Sequence, residues 1–223
     1  MAVEYRITLD DEHAFNYKIE LDRDQLSTTQ HSPPHVWTRL EHQKCSNCPL
    51  RKETHEYCPA AVDLQTVVED FQGLPAFKKA WVNVRTAERE YSKMVNLEEG
   101  LRSLLGVIMA TSACPILAQL KPMASHHLPF ASSQEFALRA ISMYLMRELF
   151  HFRDGKHPDW ELSGLMEDFK ALQLVNQALW HRIHDACAGD TNLKAFLSFF
   201  SMSSSMTYSL ETQLQKIRPM VMN

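Results

Sequence analysis

The chain has 223 residues, of which 45% are hydrophobic and 22% are charged, and its 23 basic and 27 acidic residues give a net charge of −4. These values are typical of a folded globular protein and argue against a disordered chain. No dense run of Lys and Arg is present, which disfavours nucleic-acid binding through a basic face. The six glycines are scattered, so the sequence has no Gly-rich phosphate loop, dinucleotide fingerprint or nucleophile elbow.

The hydropathy pattern predicts a cytosolic protein that does not bind membranes. The N-terminal residues lack the basic-then-apolar pattern of a secretory signal. The longest apolar run, Leu104 to Leu120, is interrupted by polar residues and by Pro115, and it is too short to cross a bilayer. In a reducing compartment, clustered cysteines are metal ligands or redox groups more often than structural disulfides.

Residues 3–21 predict a β-hairpin. Apolar and polar side chains alternate in residues 3–9 and again in residues 15–21, which places the apolar side chains of each strand on one face. A polar loop follows over residues 22–36, and a short helical turn near Trp37 leads into a cysteine-rich stretch. Two strands alone are marginally stable in water, so we expect their apolar face to be covered.

A helix and a third strand complete the predicted N-terminal unit. Apolar residues at helical spacing from Val62 to Phe71 predict an amphipathic helix that ends near Gly73. Pro59 suits the first helical position, which would place Cys58 at the N-cap. Residues 80–85 alternate again and predict a strand. Residues 1–86 are therefore predicted to form a ββαβ unit.

From Thr86 onward the apolar spacing becomes helical. One stripe begins at Tyr91 and continues through Met94 to about Ala113, where Pro115 stops the helix. A shorter helical piece, residues 116–120, ends at Pro122, and residues 123–130 are predicted to form a loop.

Further helices complete the predicted C-terminal bundle. Ser132 and Glu135 form a capping box at the start of a helix that reaches about Phe152. Three more helices are predicted over residues 162–186, 190–200 and 206–217. We therefore predict an α+β fold, in which a bundle of about five or six helices over residues 87–223 packs with the N-terminal unit as one integrated fold.

The most informative stretch is Cys45–Pro59, here called the cysteine loop. Cys45 and Cys48 are separated by two residues, a spacing that lets one tight turn direct both sulfurs at one metal ion. Cys58 would lie at a helix N-terminus, whose partial positive charge favours a thiolate. Three cysteines in this pattern predict a metal site that still needs a fourth ligand.

Cys114 is the favoured fourth ligand, because it lies at a predicted helix break where a buried side chain can be directed. His55 and His42, each three residues before a cysteine, are the alternatives. A four-thiolate site suits both zinc and a [4Fe–4S] cluster. Two metal-free interpretations compete: free buried cysteines, and a redox dithiol, which Pro49 and the lack of a preceding βαβ strand disfavour.

A second candidate site is the loop that carries His126 and His127. Glu135 and Arg139 follow one helical turn apart, so these four residues are weak candidates for a catalytic base or an extra metal ligand. The simpler interpretation is a histidine that hydrogen-bonds backbone in an ordered loop. It is favoured because no nucleophile or oxyanion partner can be identified.

The chain resembles a bacterial family of uncharacterised proteins of about this length at four motifs. They are Cys45-Ser46-Asn47-Cys48-Pro49-Leu50, Cys58-Pro59-Ala60-Ala61, Met109-Ala110-Thr111-Ser112-Ala113-Cys114-Pro115 and His126-His127-Leu128-Pro129-Phe130. The resemblance covers nearly the whole chain and implies a bacterial cytosolic protein without an assigned activity. Its motifs coincide with the four cysteines and the histidine loop, which supports one shared site.

Three functions remain open at this point. The favoured one is a metal-binding protein of interaction or regulatory type, with zinc or an iron–sulfur cluster. The second is an enzyme whose pocket lies between the cysteine loop and the His126–Phe130 loop. The third is a metal-free scaffold that dimerises through its hairpin, which would relieve the marginal stability of two strands. The expected partner is another protein or a second copy of the chain.

Overall fold

The computed structural model describes residues 1–9, 13–22, 33–187 and 210–222. Its strands are β1 (Ala2–Thr8), β2 (Ala14–Glu20), β3 (Lys79–Arg85) and β4 (Glu90–Asn96). Its α-helices are α1 (Pro59–Phe71), α2 (Leu97–Ala110), α3 (Lys121–Ser125), α4 (Ser133–Arg153), α5 (Ser163–Ala186) and α6 (Leu210–Val221), and two 3-10 turns span Val36–Thr38 and Leu117–Leu120. The predicted α+β fold class is confirmed.

The four strands form one antiparallel sheet in the order β2-β1-β3-β4. The predicted hairpin is confirmed: β1 pairs with β2 so that Tyr5 lies opposite Tyr17, and on its other side β1 pairs with the predicted third strand, β3. Residues 10–12, which join β1 to β2, lie outside the described residues, as does the part of the predicted loop over residues 23–32.

Strand β4 corrects the prediction that the chain is helical from Thr86. Thr86 and Arg89 close a tight turn, in which the Thr86 amide donates to the Arg89 carbonyl at 2.8 Å, and β4 then pairs along β3. The alternation of β4 is hidden in the sequence because Lys93 occupies a position between the inward residues Tyr91 and Val95. With Met94 apolar on the other face, the apolar spacing resembles that of a helix.

Helices α1 and α2 cover one face of the sheet. Phe71 of α1 packs on Phe15 of β2 with ring centroids 4.5 Å apart. On α2, Gly100 allows close approach to the sheet, because a Cβ there would lie 2.9 Å from Cγ2 of Val82. One continuous hydrophobic cluster includes residues of the sheet and of the C-terminal helices. The apolar face of the hairpin is therefore buried, as its marginal stability requires.

The described C-terminal helices largely agree with the predicted helices. The capping box is present at the start of α4, where the Glu135 amide donates to Ser132 Oγ at 3.2 Å. Two boundaries were wrong: α3 continues to Ser125, so Pro122 lies within its first turn, and α6 continues to Val221. The helix predicted over residues 190–200 and the predicted start of the last helix at Met206 lie outside the described residues.

Candidate functional site

The cysteine loop is closed at its base by backbone pairing. Arg39 and Tyr57 form an isolated antiparallel bridge, the Leu40 amide donates to the Glu56 carbonyl at 2.9 Å, and the Cys58 amide donates to the Thr38 carbonyl at 2.8 Å. The residues between these contacts need no regular secondary structure, because both ends of the segment are held together.

Helix α5 fastens this loop to the helical part of the chain. The buried Arg182 guanidinium donates to the carbonyls of Trp37 at 2.8 Å, Arg39 at 2.6 Å and Leu40 at 2.8 Å. Within the loop, Asn47 Nδ2 donates to the Ala171 carbonyl at 3.0 Å. The loop therefore has a defined position over α5, although it contains neither helix nor strand before Pro59.

Three of the four candidate ligands occupy the positions that their spacing predicts. Cys45 and Cys48 sit in a tight turn, in which the Cys48 amide donates to the Cys45 carbonyl at 3.0 Å. Cys58 is the N-cap of α1 and Pro59 its first residue, as predicted. Cys114 follows α2, is 8% exposed and belongs to the same hydrophobic cluster as Cys58. None of the five cysteines, all of which lie in the described residues, forms a disulfide.

The four thiols share one electrostatic environment. The pKa of Cys45 is raised to about 12, first by burial and then by the neighbouring thiols of Cys58, Cys48 and Cys114. Burial also raises the pKa of Cys58 and of Cys114, and Cys48 adds to both increases. Negative charge on any one of these sulfurs therefore disfavours negative charge on the others. The fold brings Cys114 within interaction range of three residues that lie far from it in the chain.

Backbone amides point at two of the sulfurs. Cys58 accepts hydrogen bonds from the amides of Ala60 and Ala61 at the start of α1, and Cys114 accepts them from Ile116 and Leu117. These bonds lower the pKa of each thiol and so oppose the effect of burial. Both cysteines precede a proline, which has no amide hydrogen of its own, and the chain turns so that the next amides face the sulfur.

Arg182 is the functional residue that sequence reasoning missed. Its positive charge lowers the pKa of Cys58 and of Cys45. It is 1% exposed, and among the described residues no carboxylate lies within ion-pair distance of it. One signal was present, because Arg182 follows Leu179 by three residues and therefore lies on the apolar stripe of its helix.

The cysteines and histidines of the candidate site meet the requirements of a metal site only in part. In the ranges that the structure describes, no group of three or more His, Cys, Asp or Glu side chains is arranged to hold a metal ion. The alternative fourth ligands differ in their contacts. His55 Nδ1 lies 2.9 Å from Thr54 Oγ1, whereas His42 Nε2 lies 3.1 Å from Asp185 Oδ2 but has no hydrogen-bond partner among the described residues. Binding of a metal would therefore require the cysteine side chains to reorient.

The second candidate site is built around His127. Its Nε2 lies 2.5 Å from the Tyr5 hydroxyl, and Tyr5 is also hydrogen-bonded to Ser103. Ser103 Oγ in turn accepts from the Phe130 amide at 2.8 Å. Burial, with a smaller effect from Arg139, lowers the pKa of His127 to about 4, so the imidazole is neutral at pH 7.

The other three weak catalytic candidates have different positions. His126 is exposed, and its carbonyl accepts from Arg139 Nη2 at 2.6 Å. Arg139 Nη2 also donates to the Met123 carbonyl at 2.8 Å, so this side chain ties α4 to the histidine loop. Glu135 is exposed and serves the capping box, where its hydrogen bonds with Ser132 lower its pKa. His127 and Arg139 therefore line one cavity, whereas Glu135 interacts electrostatically with Arg139 but does not contribute to that lining.

A cavity of about 120 Å³ adjoins His127 and Arg139. It lies between α2, α3, α4 and α5, and its lining includes no residue of the cysteine loop. Most of the lining is apolar, as in ligand sites, where a few polar groups fix orientation.

Comparisons with known proteins establish the family. The chain belongs to the family described as Domain of unknown function (DUF6901), whose model matches residues 3–221. No curated protein and no solved structure matches the chain. In the described part of the chain, no helix has both the length and the apolar character that crossing a membrane requires.

Proposed function

We propose that this chain is a metal-binding protein in which Cys45, Cys48, Cys58 and Cys114 hold zinc or a [4Fe–4S] cluster. The observation that carries the proposal is the proximity of the four thiols: Cys48, Cys58 and Cys114 raise the pKa of Cys45, and Cys48 also raises the pKa of Cys58 and of Cys114. The metal would join the N-terminal unit to the helical part. We assign no reaction to it and expect a protein of interaction or regulatory type.

Hydrogen bonds to sulfur support the proposal. Metal-bound thiolates are tuned and oriented by donors in their surroundings, and hydrogen bonds to the sulfurs of an iron–sulfur cluster set its potential. Cys58 and Cys114 each accept two backbone amides. Free buried thiols need no such donors, because a protonated thiol is a weak acceptor that behaves as a small apolar group.

Charge gives the second support. Four thiolates around a divalent metal form an anionic centre, and burial of an anionic centre is costly without a nearby positive charge. Arg182 supplies that charge from within the core, where it is 1% exposed and favours the charged forms of Cys58 and Cys45. If the four thiols were always neutral, no negative charge on them would compensate the buried guanidinium of Arg182.

Metal analysis of the purified protein is the direct test. We expect one zinc ion per chain in a colourless protein, or four iron atoms in a brown protein that absorbs in the blue–violet range. Serine substitution at any of the four cysteines should remove the metal. The matched control is Cys187→Ser, because Cys187 is also buried and forms no disulfide but lies outside the proposed site.

Two outcomes would contradict the proposal. A metal-free protein whose thiols titrate freely, and which takes up neither added zinc nor a reconstituted cluster, would favour free buried cysteines. A Cys114→Ser variant that holds metal as tightly as the native chain would rule out the four-cysteine site. His55→Ala and His42→Ala would then identify the fourth ligand.

Two further elements of the proposal concern location and partners. Free thiols are maintained in a reducing compartment, which supports a cytosolic protein. Strand β2 is at the edge of the sheet, so a second copy can pair along it across a two-fold axis. A mass from light scattering that stays monomeric at all concentrations would exclude the dimer.

A further inference from the structure

The cavity beside His127 is separate from the four cysteines and suggests a second site. Its lining combines apolar side chains with a small number of polar ones. Val107, Leu120, Met123, Phe136 and Leu172 supply apolar surface, and His127 and Arg139 supply hydrogen-bond donors. Sites for small organic molecules have this composition.

The hydrogen bonds around His127 lead us to assign its neutral tautomer. Ser103 Oγ accepts from the Phe130 amide, and the Tyr5 hydroxyl is hydrogen-bonded both to Ser103 and to His127 Nε2. We assign the Ser103 proton to the bond with Tyr5 and the Tyr5 proton to the bond with His127 Nε2. A neutral imidazole that accepts at one nitrogen carries its proton on the other. Nδ1 is therefore a donor, and no partner for it is found within the described ranges.

The charge at this end of the cavity is positive. Arg102 and Arg139 both contribute to the lining, which contains no Asp or Glu. Burial lowers the pKa of Arg139, and the hydrogen bonds it makes to described residues run from Nη2 alone, to two carbonyls. Glu135 interacts with Arg139 electrostatically, but no described carboxylate lies within ion-pair distance of this half-buried guanidinium. Arg139 therefore favours an anionic ligand.

The volume limits the size of the ligand. A fully enclosed cavity of about 150 Å³ holds one benzene ring, so this cavity of about 120 Å³ takes only the apolar part of a small ligand. The charged end of that ligand lies at the edge of the cavity, where His127 and Arg139 are partly exposed. We propose that it binds a small apolar molecule with a single carboxylate, whose ring or branched chain enters the apolar part. The carboxylate accepts from His127 Nδ1 and pairs with Arg139.

Benzoate is the probe for this proposal. Isothermal titration calorimetry with the full chain should show saturable binding of benzoate. Benzamide, which has the same shape without the charge, should bind at least about tenfold more weakly, because charge-assisted hydrogen bonds are lost. Benzylamine, which carries the opposite charge, should not bind.

Two substitutions of one histidine separate the ligand contact from the structural contact. His127→Asn places an amide near the former Nδ1 and keeps the donor, whereas His127→Gln reaches the former Nε2 and keeps the contact with Tyr5. We expect His127→Gln to weaken benzoate binding by about tenfold or more and His127→Asn to retain most of it. His126→Gln is the matched control, because the neighbouring histidine is exposed and does not line the cavity.

A third variant fills the site. Ala110 is buried and lines the cavity, so Ala110→Leu should abolish benzoate binding while urea unfolding reports that the chain is folded. Absence of saturable benzoate binding to the native chain would overturn the proposal. Equal affinity for benzoate and benzamide, or equal affinity in the two His127 variants, would overturn it as well.

Discussion

The neutral, half-buried imidazole of His127 makes the stability of the chain depend on pH. The pKa of this imidazole is 6.5 in the unfolded chain and about 4 in the fold. Between these values the unfolded chain binds more protons than the folded chain. The stabilisation is therefore complete above pH 6.5 and is lost as the pH falls toward 4.

The size of the effect follows from the two pKa values. Linkage gives a loss of about 2 kcal/mol between pH 7 and pH 5 and of about 3 kcal/mol by pH 4. The groups around the imidazole do not offset this loss: Tyr5 of β1 donates to it, and Arg139 of α4 opposes its positive charge. Protonation would also remove the acceptor that Tyr5 uses.

Urea unfolding followed by far-UV circular dichroism measures this loss at pH 7, 6 and 5. The side chain introduced by His127→Gln does not titrate. The free energy of unfolding of this variant, taken relative to that of the native chain, should therefore rise by about 2 kcal/mol from pH 7 to pH 5. Carboxylates titrate in both proteins and cancel in the comparison. His126→Gln is the control and should follow the native chain. If His127→Gln loses as much stability as the native chain, the fold does not lower the pKa of His127, and the environment described for this imidazole is wrong.

Three further predictions concern anchoring and packing. Arg182→Met should lower the free energy of unfolding by about 3 kcal/mol in urea titrations, because buried carbonyls lose their donor; a loss below about 1 kcal/mol would contradict the anchoring role. Gly164→Ala should lower the free energy of unfolding by about 1–3 kcal/mol, because its Cβ would collide with the Tyr144 hydroxyl. Gly73→Ala is the control and should leave the stability unchanged, because a Cβ at residue 73 meets nothing within 4 Å. Ser132→Ala should lower stability by about 1 kcal/mol through loss of the capping box, which thermal unfolding would detect.

Short-range sequence patterns predicted the parts of the fold that depend on residues close together in the sequence. Alternation identified β1, β2 and β3, and the spacing of Ser132 and Glu135 identified the start of α4. Strand β4 was missed because Lys93, which is exposed, lies between Tyr91 and Val95 on the same strand face and interrupts their apolar alternation. Its ammonium lies 2.7 Å from Glu99 Oε1 and 5.6 Å from the centre of the Phe130 ring, so contacts with distant elements make that position tolerable.

The candidate sites show the same limit. The positions of Cys45, Cys48 and Cys58 followed from short spacings, but Arg182 contacts carbonyls 142 to 145 residues away, which no spacing reveals. The sequence supported two different predictions for Glu135. It was predicted both as a cap and as a pocket residue, and the cap, which needs only local contacts, is the role it has.

The charge of Arg182 connects the anchoring of the loop with the proposed metal site. When the four cysteines are protonated, the Arg182 guanidinium donates hydrogen bonds to three carbonyl oxygens. Its Nε has no hydrogen-bond partner among the described residues. Three partial charges compensate a buried cation less well than a full negative charge does. An anionic metal–thiolate centre would supply that charge, so the metal would lower the cost of burying Arg182 just as Arg182 lowers the cost of the thiolates. This reciprocity requires the metal-loaded chain to lose more stability than the metal-free chain when Arg182 is replaced by Met.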